Sequence, residues 1–441
     1  MSKTYGYHDV LFRTLLIPKE NRSKSSVWKE TMKKKSFVAD YQKVMAHLEK
    51  ENFALSDFHI QEGELLIEIP ERFSISEQPD ETIRSLRKLY TIGKVECVKK
   101  INFDYSKCEF LGLSASTIMD IILFVIMKHR RKRNRLALAG AIPKNPMVRD
   151  VLLESGLLYH LNAKYEFEYD GANVEKFETV SGGFGEEKKK SGKIATRLTD
   201  YFNKCLIHQG MKLKDEGILL MATLLGEVLD NCEIHGGEQA TWYTQGHYED
   251  NSSKPYGEMQ LLFLNLGKTI YEGLKYDSSK ETRKRLEYFL ERHDQFLSFN
   301  WDEEMVCTVL ALQEGISRLR DKNIEGYETR GTGTVSLIEN LNLMGKCDDG
   351  QMPEMTIISG RTYIKFGGSY RMKAKEFKND PVFGTGKKKI IAFNEENNIY
   401  KPPDEANVRK LEENFPGTVI SLRFYLDKRY IQKEKGERKH E

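Results

Sequence analysis

Apolar and polar residues in the first part of the chain follow patterns that predict alternating strands and helices. Strands are expected where the two kinds of residue alternate, as in GELLIEIPERF and VKKINFDYS, and Ile101, Phe103 and Tyr105 share one face of the second. Helices are expected where apolar residues recur with helical spacing between capping residues and a basic last turn. The predicted strands are 63–73, 98–106 and 136–140, and the predicted helices are 27–50, 114–133 and 145–158. This order predicts an α/β domain at 55–165, preceded by a helical extension at 1–54.

A polar, glycine-rich stretch with a charge run, 166–193, separates this domain from the rest and is interpreted as a linker. A second α/β pattern fills 194–441. Its predicted helices are 194–209, 214–235, most of 279–321 and 334–344, and its predicted strands are 239–249, 258–267, 354–366 and 418–426. A basic segment with several glycines and prolines, about 367–417, is expected to be an insert.

The composition narrows the range of possible functions. The chain has 441 residues, and 69 basic against 66 acidic residues leave a formal net charge of +3. Binding to a polyanion would therefore need a local basic patch. The six cysteines are widely spaced without a Cys-x-x-Cys pair, which argues against a zinc ribbon or a disulfide scaffold. The first residues lack the features of a signal peptide, and IMDIILFVIMK is too short to span a bilayer. We expect a cytoplasmic protein without a membrane partner.

The helix predicted at 214–235 carries a stripe of polar residues. Glu227, Asn231 and His235 are spaced four residues apart, so they share one face of the helix. The residues of the opposite face that could pack on a sheet are Leu219, Leu220, Ala222, Leu225 and Leu229. Such a stripe is also common on solvated helices, and the sequence downstream decides its meaning.

Two glycine segments follow the stripe. A strand ends in a turn around Gly267, and Gly331 and Gly333 directly precede a predicted helix. Glycines at the start of a helix let the backbone approach a phosphate, whose charge is favoured by free N–H groups and the helix dipole. The three elements together favour a nucleotide site.

In this order of elements, the second domain resembles the GHKL or Bergerat-fold ATPases, which include gyrase-type topoisomerases, mismatch-repair clamps, histidine kinases and anti-sigma-factor serine kinases. EVLDNCEIH matches the N box of that family, and RGTGTVSLI matches its second glycine box. The resemblance implies an α/β sandwich, with a mixed sheet and helices on one face, that binds ATP and Mg²⁺. It also implies a lid at about 268–330, in which EGISR (314–318) resembles the lid segment of the anti-sigma kinases.

The resemblance also implies roles for individual residues. Asn231 would coordinate Mg²⁺ through its side-chain oxygen, Glu227 would be the general base, and His235 would lie near the phosphates or the lid. The further residues expected to contact the nucleotide are Asn265, Gly267, Gly331, Thr332, Gly333 and Thr334.

The first glycine box departs from the family pattern of Asp-x-Gly-x-Gly. Asn265 replaces the aspartate that accepts a hydrogen bond from the adenine amino group, and Thr269 replaces the second glycine. An asparagine can accept through its carbonyl, but its amide can equally rotate to donate. The loop is expected to lose backbone freedom at Thr269.

The first domain resembles a STAS domain, the fold of anti-sigma-factor antagonists, on the pattern of its strands and helices. That family can carry a phosphorylated serine at the start of the helix after the central strand. The matching turn is LGLSAST, in which Ser114 is the nearest equivalent, although the usual Asp-Ser-Ser-Gly is absent. The other interpretation of Ser114 is a helix cap.

The two resemblances together imply an ATP- and Mg²⁺-binding regulatory protein. It would hydrolyse ATP or phosphorylate a Ser/Thr, and so couple nucleotide state to contacts with a protein partner. The alternative is a degenerate, non-hydrolysing scaffold that acts as an interaction module. A third possible function is a DNA-associated ATPase clamp that binds through the basic segment 128–135. The favoured interpretation of that segment is a solvated turn, so nucleic acid is not the partner we expect. Homodimerisation stays open.

Overall fold

The computed structural model contains two compact units. It describes residues 41–49, 60–130, 136–141, 143–154, 174–183, 190–238, 240–250, 254–298, 300–316, 333–341, 347, 350–427 and 429. The first unit comprises Met1–Ala172 with Glu178–Ser181, and the second comprises Asn173–Phe177 with Gly182–Glu441. Both contain helices and sheets, so the predicted α/β class is confirmed. Among the described residues, no helix has the length and apolar character needed to cross a membrane.

The first unit is built around a four-stranded sheet in the order β1-β2-β4-β6. Its strands are β1 (Ile60–Gln61), β2 (Glu64–Glu68), β3 (Arg72–Phe73), β4 (Lys100–Asp104), β5 (Phe110–Leu111) and β6 (Ala137–Gly140). Its helices are α1 (Tyr41–Leu48), α2 (Pro79–Gly93), α3 (Leu113–Arg130) and α4 (Pro146–Glu154). Strands β2, β4 and β6 are parallel, β1 is antiparallel to β2, and β3 pairs with β5. Parallel neighbours require crossover connections, and α2 and α3 supply them.

The core of this unit follows the predicted periodicities. Ile101, Phe103 and Tyr105 are all buried, as expected for one face of a strand. Helix α3 is buried on every side over most of its length, which explains why its sequence is apolar all round. That burial includes Asp120, whose carboxyl pKa is raised well above its usual range by desolvation.

The second unit contains a five-stranded sheet in the order β10-β13-β9-β8-β7 and a separate two-stranded ribbon of β11 and β12. The strands are β7 (Val174–Gly183), β8 (Thr241–Asp250), β9 (Gly257–Leu266), β10 (Glu354–Phe366), β11 (Lys373–Asp380), β12 (Gly384–Ile390) and β13 (Val408–Leu426). The helices are α5 (Lys190–His208), α6 (Asp215–His235), α7 (Ile270–Asp277), α8 (Lys280–His293), α9 (Glu303–Ala311) and α10 (Gly333–Leu341), with a 3-10 turn at Asp294–Phe296.

Helix α5 packs on one face of the five-stranded sheet. A side chain at Gly246 in β8 would lie 2.7 Å from the ring of Tyr201, so the helix and the strand approach closely there. The Phe202 ring meets that of Phe424 edge-on, with centroids 6.3 Å apart. Gly246 and Phe424 are on the same sheet face through the registers of β8, β9 and β13.

The predicted linker differs from the structure because it contains strand β7. This strand is at the edge of the sheet, where only one side is paired, so it needs few apolar residues. Phe177 is its buried aromatic residue and packs 5.8 Å from the ring of Tyr201. The glycine that suggested a loop, Gly182, has a packing role, because a Cβ there would lie 2.3 Å from the indole of Trp242.

The pairings of β8 with β9, β9 with β13 and β13 with β10 are antiparallel. Two further expectations for the second unit need correction. Leu225 and Leu229 are buried as predicted, but Leu219 is 71 % exposed and Leu220 is 48 % exposed, because the first turns of α6 have no apolar cover. The expected insert at 367–417 contains the ribbon and the first half of β13.

Candidate functional site

Helix α6 brings the predicted polar stripe to one end of the sheet. It begins with Asp215 and Glu216, whose charges suit the N-terminal end of the helix dipole. Its buried residues, among them Leu225 and Leu229, fix which face turns outward. Glu227 on the stripe is half-buried, and its Oε2 atom is shielded from solvent.

Asn231 connects the stripe to the helix of the second glycine segment. Its Nδ2 atom lies 3.4 Å from Oγ1 of Thr334 and donates to it. Thr334 is the second residue of α10, which begins at Gly333. The structure therefore brings together two predicted site residues that are far apart in the sequence. The Oδ1 atom of Asn231 has no hydrogen bond with a described residue.

Helix α10 is held in place by its apolar face, formed by Val335, Leu337 and Ile338, all buried. Gly331 and Thr332 lie outside the described residues, as does the side chain of His235, the last residue of α6. Of the second glycine segment, the structure therefore gives the position of Gly333 and the contact of Thr334.

The turn after β9 meets the end of α6. The Lys268 N–H donates to the Gly236 carbonyl at 2.9 Å, and the Gly267 N–H donates to the Pro416 carbonyl at 3.2 Å. A Cβ at Gly267 would lie 2.5 Å from the Gly236 oxygen and 2.9 Å from the Ala240 Cβ, so only glycine fits this approach. The turn is thus bound to the C-terminal end of the stripe helix.

Asn265, which precedes this turn, is buried with 4 % exposure. Its Nδ2 atom donates to the Lys268 carbonyl at the long distance of 3.5 Å. That contact favours one of the two amide orientations left open by the sequence, the one in which Oδ1 remains an acceptor. No described residue donates to that oxygen.

Two hydroxyls that sequence reasoning missed are in register with Asn265, on the next strand and on the strand after it. Thr418 is its register partner across β9 and β13, and Ser359 is the partner of Thr418 in β10. The two hydroxyl oxygens are 2.8 Å apart, and the Ser359 Oγ accepts from the Ile270 N–H at 2.8 Å. Both residues are buried polar positions inside apolar strands, which is the one sequence signal that could have indicated them.

Thr269 holds the start of this loop in an ordinary conformation. Its φ of −74° and ψ of 165° are ordinary extended values, so no glycine is needed. Its side chain caps α7 by accepting from the Glu272 N–H at 3.1 Å, and the Glu272 carboxylate accepts from the Thr269 N–H at 2.8 Å. The replacement of the second glycine gives a capping box that stabilises the start of the expected lid.

The described part of the expected lid, up to residue 316, contains the helices α7, α8 and α9 in order. Hydrogen bonds link its last residues to the end of β12 and the residue after it. The Gln313 Oε1 accepts from the Ile391 N–H at 2.8 Å, and the Glu314 Oε2 accepts from the Lys389 N–H at 2.8 Å. The Gln313 Nε2 donates to the Ile391 carbonyl at 3.1 Å, and the Glu314 N–H donates to the Lys389 carbonyl at 3.2 Å. The segment that resembles a lid motif, 314–318, is described only to residue 316.

The structure also describes Ser114, part of the basic segment 128–135, and Cys232 beside Asn231. Ser114 is 4 % exposed at the second residue of α3, so its hydroxyl is shielded in this conformation. In the basic segment 128–135, Arg130 is buried, and its guanidinium donates to the carbonyls of Gly93 and Glu96; residues 131–135 lie outside the described residues. Burial raises the pKa of the Cys232 thiol to about 12, so this neighbour of Asn231 is a packing residue.

Comparison with known proteins adds no family to this geometry. No protein-family model, curated protein or solved structure matches the chain.

Proposed function

We propose that the second unit is an ATP- and Mg²⁺-binding domain of a regulatory protein. The observation that carries the proposal is the contact between Asn231 on α6 and Thr334 on α10, since a nucleotide would need both segments at one place. The bonding of the Asn265–Gly267 turn to the end of α6 supports the same site.

The side chains fit these ligands chemically. The carboxamide oxygen of Asn231 suits a hard cation, and the first residues of α10 offer backbone N–H groups to phosphate. Bound together with the phosphates, Mg²⁺ would neutralise part of their charge. The acceptor oxygen of Asn265 could receive the hydrogen bond that selects an adenine amino group.

Glu227 would act as the general base of the site. It is on the same helix face as Asn231, one turn earlier, and it could take the proton of an attacking hydroxyl. If the hydroxyl belongs to water, the protein is an ATPase; if it belongs to a Ser/Thr of a partner, the protein is a kinase. The same positioning serves both reactions, because in-line phosphoryl transfer needs mainly orientation and charge neutralisation.

In the regulatory role that we propose, nucleotide binding would order the expected lid and so change contacts with a protein partner. The second candidate is a scaffold that does not hydrolyse ATP. It is favoured by one observation, the uncharged Asn265 at a position that is 4 % exposed, where the family has a carboxylate.

Calorimetric titration of ATP with Mg²⁺ into the full chain tests the proposal. We expect saturable binding to the native protein and at least a tenfold loss in Asn231→Ala, the factor for one lost interaction of about 1.4 kcal/mol. The matched control is Asn300→Ala, since Asn300 is an exposed asparagine of the same unit. Equal affinity of the two variants would refute the site, and no binding to the native chain would favour the scaffold.

A further inference from the structure

The ribbon of β11 and β12 concentrates positive charge. Residues 371–390 contain seven basic and two acidic residues, a net charge of +5. The whole chain carries only +3, so the rest of the protein is slightly negative. The overall charge therefore conceals a local basic surface of the kind that binding to a polyanion requires.

The pairing register shows that this charge is not balanced within the ribbon. Lys375 is directly opposite Lys388, a like-charge pair that destabilises an antiparallel ribbon. Lys387 is opposite Glu376, the one opposite-charge pair in the register of β11 and β12. Both lysines of the like-charge pair are on the ribbon face that carries Phe377, whereas Glu376 and Lys387 are on the opposite face.

One face of the ribbon is open to solvent. Its residues are Ala374, Glu376, Lys378, Thr385, Lys387 and Lys389, and all six are exposed. The opposite face carries the apolar side chains Phe377 and Ile390, which are buried. The ribbon therefore has a packed inner face and a basic outer face.

Most of the basic side chains in the ribbon lack an acidic partner. Lys389 forms an ion pair with Glu339 on α10 at 2.7 Å. Among the described residues, the other six form no ion pair; they are Arg371, Lys373, Lys375, Lys378, Lys387 and Lys388. Of these six, Lys378 and Lys387 are on the outer face, while Lys375 lies over the Phe377 ring on the inner face, 5.9 Å from its centroid.

The ribbon is held firmly at both ends. At its base, the Gln313 amide donates to the Ile391 carbonyl at 3.1 Å and accepts from the Ile391 N–H. At its turn, the Phe377 and Phe383 rings are stacked with centroids 4.6 Å apart, and the Tyr400 hydroxyl donates to the Asp380 carboxylate at 2.8 Å. A ribbon fixed in this way presents its lysines without a large ordering cost on binding.

We propose that the outer face of this ribbon is a docking surface for duplex DNA. A two-stranded ribbon has the width that the major groove of B-DNA admits, and its lysines can contact the phosphates that line the groove. Binding of this kind is largely independent of base sequence, because phosphate contacts carry no sequence information.

The chemistry of the ribbon favours duplex DNA over other polyanions. A bilayer surface would need an apolar side chain to insert, but Val382 and Phe383 at the turn are buried. Single-stranded nucleic acid would need exposed aromatic rings for stacking, and the outer face has none. Double-stranded RNA has a major groove too deep and narrow for side chains to read.

The test is fluorescence anisotropy with a labelled 20-base-pair DNA duplex of arbitrary sequence, in the absence of nucleotide. The variant Lys378→Gln/Lys387→Gln removes two charges from the outer face. The control Lys280→Gln/Lys284→Gln removes two exposed charges from α8, outside the ribbon. We expect at least tenfold weaker binding for the ribbon variant and native affinity for the control.

The salt dependence gives a second measure. Losing two phosphate contacts lowers the slope of log affinity against log salt by about 1.8. Between 50 and 200 mM salt, the native protein should therefore lose about 12-fold more affinity than the ribbon variant. Lys375→Gln/Lys388→Gln changes the inner face, so it should raise the thermal stability by removing a repulsive pair and weaken binding less than Lys378→Gln/Lys387→Gln does.

Three results would overturn the proposal. The first is no binding of the duplex by the native protein at 50 mM salt, and the second is an equal loss of DNA affinity in the ribbon variant and the control. The third is tighter binding to double-stranded RNA, single-stranded DNA or anionic phosphatidylserine vesicles than to the DNA duplex. Since nucleotide is absent, each result is independent of the ATP titration.

Discussion

The substitution Gly267→Ala tests the close approach on which the candidate site is built. A Cβ at this position would lie 2.5 Å from the Gly236 carbonyl oxygen, a backbone atom that cannot move without shifting the end of α6. Relieving the overlap is expected to cost about 1–3 kcal/mol. It would also weaken the Lys268–Gly236 hydrogen bond of 2.9 Å, a further loss of about 1 kcal/mol.

A combined loss of about 2–4 kcal/mol is large enough to measure by urea unfolding. With a slope of about 2–3 kcal/mol per M, the midpoint should fall by about 1 M. Tryptophan fluorescence is the suitable signal, because Trp242 and Trp301 are both buried in the second unit.

Gly192→Ala is the matched control. Nothing lies within 4 Å of a Cβ at Gly192, which is in the first turn of α5. Alanine favours a helix over glycine by up to about 1 kcal/mol, so this variant should unfold at equal or higher urea. If Gly267→Ala unfolds at the same urea concentration as the native protein, the turn does not contact α6 as described and the geometry of the site is wrong.

Two further predictions concern pH. Burial raises the pKa of Asp120, so the folded protein keeps this carboxyl protonated above the unfolded pKa of about 3.9, and the stability of the first unit falls as the pH rises from there. Asp120→Asn should flatten this pH dependence and raise the calorimetric transition temperature of the first unit at pH 7. An unchanged transition temperature would contradict the prediction. Burial lowers the pKa of His293, whose ring accepts from Trp301 Nε1 at 3.2 Å and donates to the Ile399 carbonyl at 3.0 Å, and it lowers that of His247 to about 4. The second unit should therefore lose stability as the pH falls from about 6.5 towards 4, and unfolding monitored by tryptophan fluorescence measures this loss. In His247→Gln only the loss due to His293 should remain. A stability that stays constant over this pH range would refute the lowered pKa of both histidines.

The local patterns predicted the elements well because the forces behind them are local. In the predicted strand 98–106 the apolar side chains at alternate positions are buried together. The stripe of Glu227, Asn231 and His235 is carried by a helix because the apolar residues between them have helical spacing. These inferences needed only the spacing of apolar residues along the chain and their burial in a hydrophobic core.

The misread elements are those whose stability depends on distant partners. Strand β7 was expected to be a linker because its polar residues carry little apolar signal, yet pairing at a sheet edge stabilises it. The first half of β13 was assigned to an insert because the segment 367–417 is basic and contains several glycines and prolines. Pro416 immediately precedes Gly417, the first residue of β13 that pairs with β9, so its missing N–H interrupts no bond to that strand.

Which residues lie together at the candidate site depends on the register of the paired strands, and a single sequence does not give that register. Asn265 acquires Thr418 and Ser359 as neighbours only because β9, β13 and β10 pair with this alignment. A shift of one residue would turn both hydroxyls to the other face of the sheet and leave Asn265 alone with apolar neighbours. The N box and glycine segments indicate which residues to test, but the alignment of these three strands decides whether they form one site. Variants at the turn that ends β9 are therefore a stronger test of the proposed site than variants of the polar stripe alone.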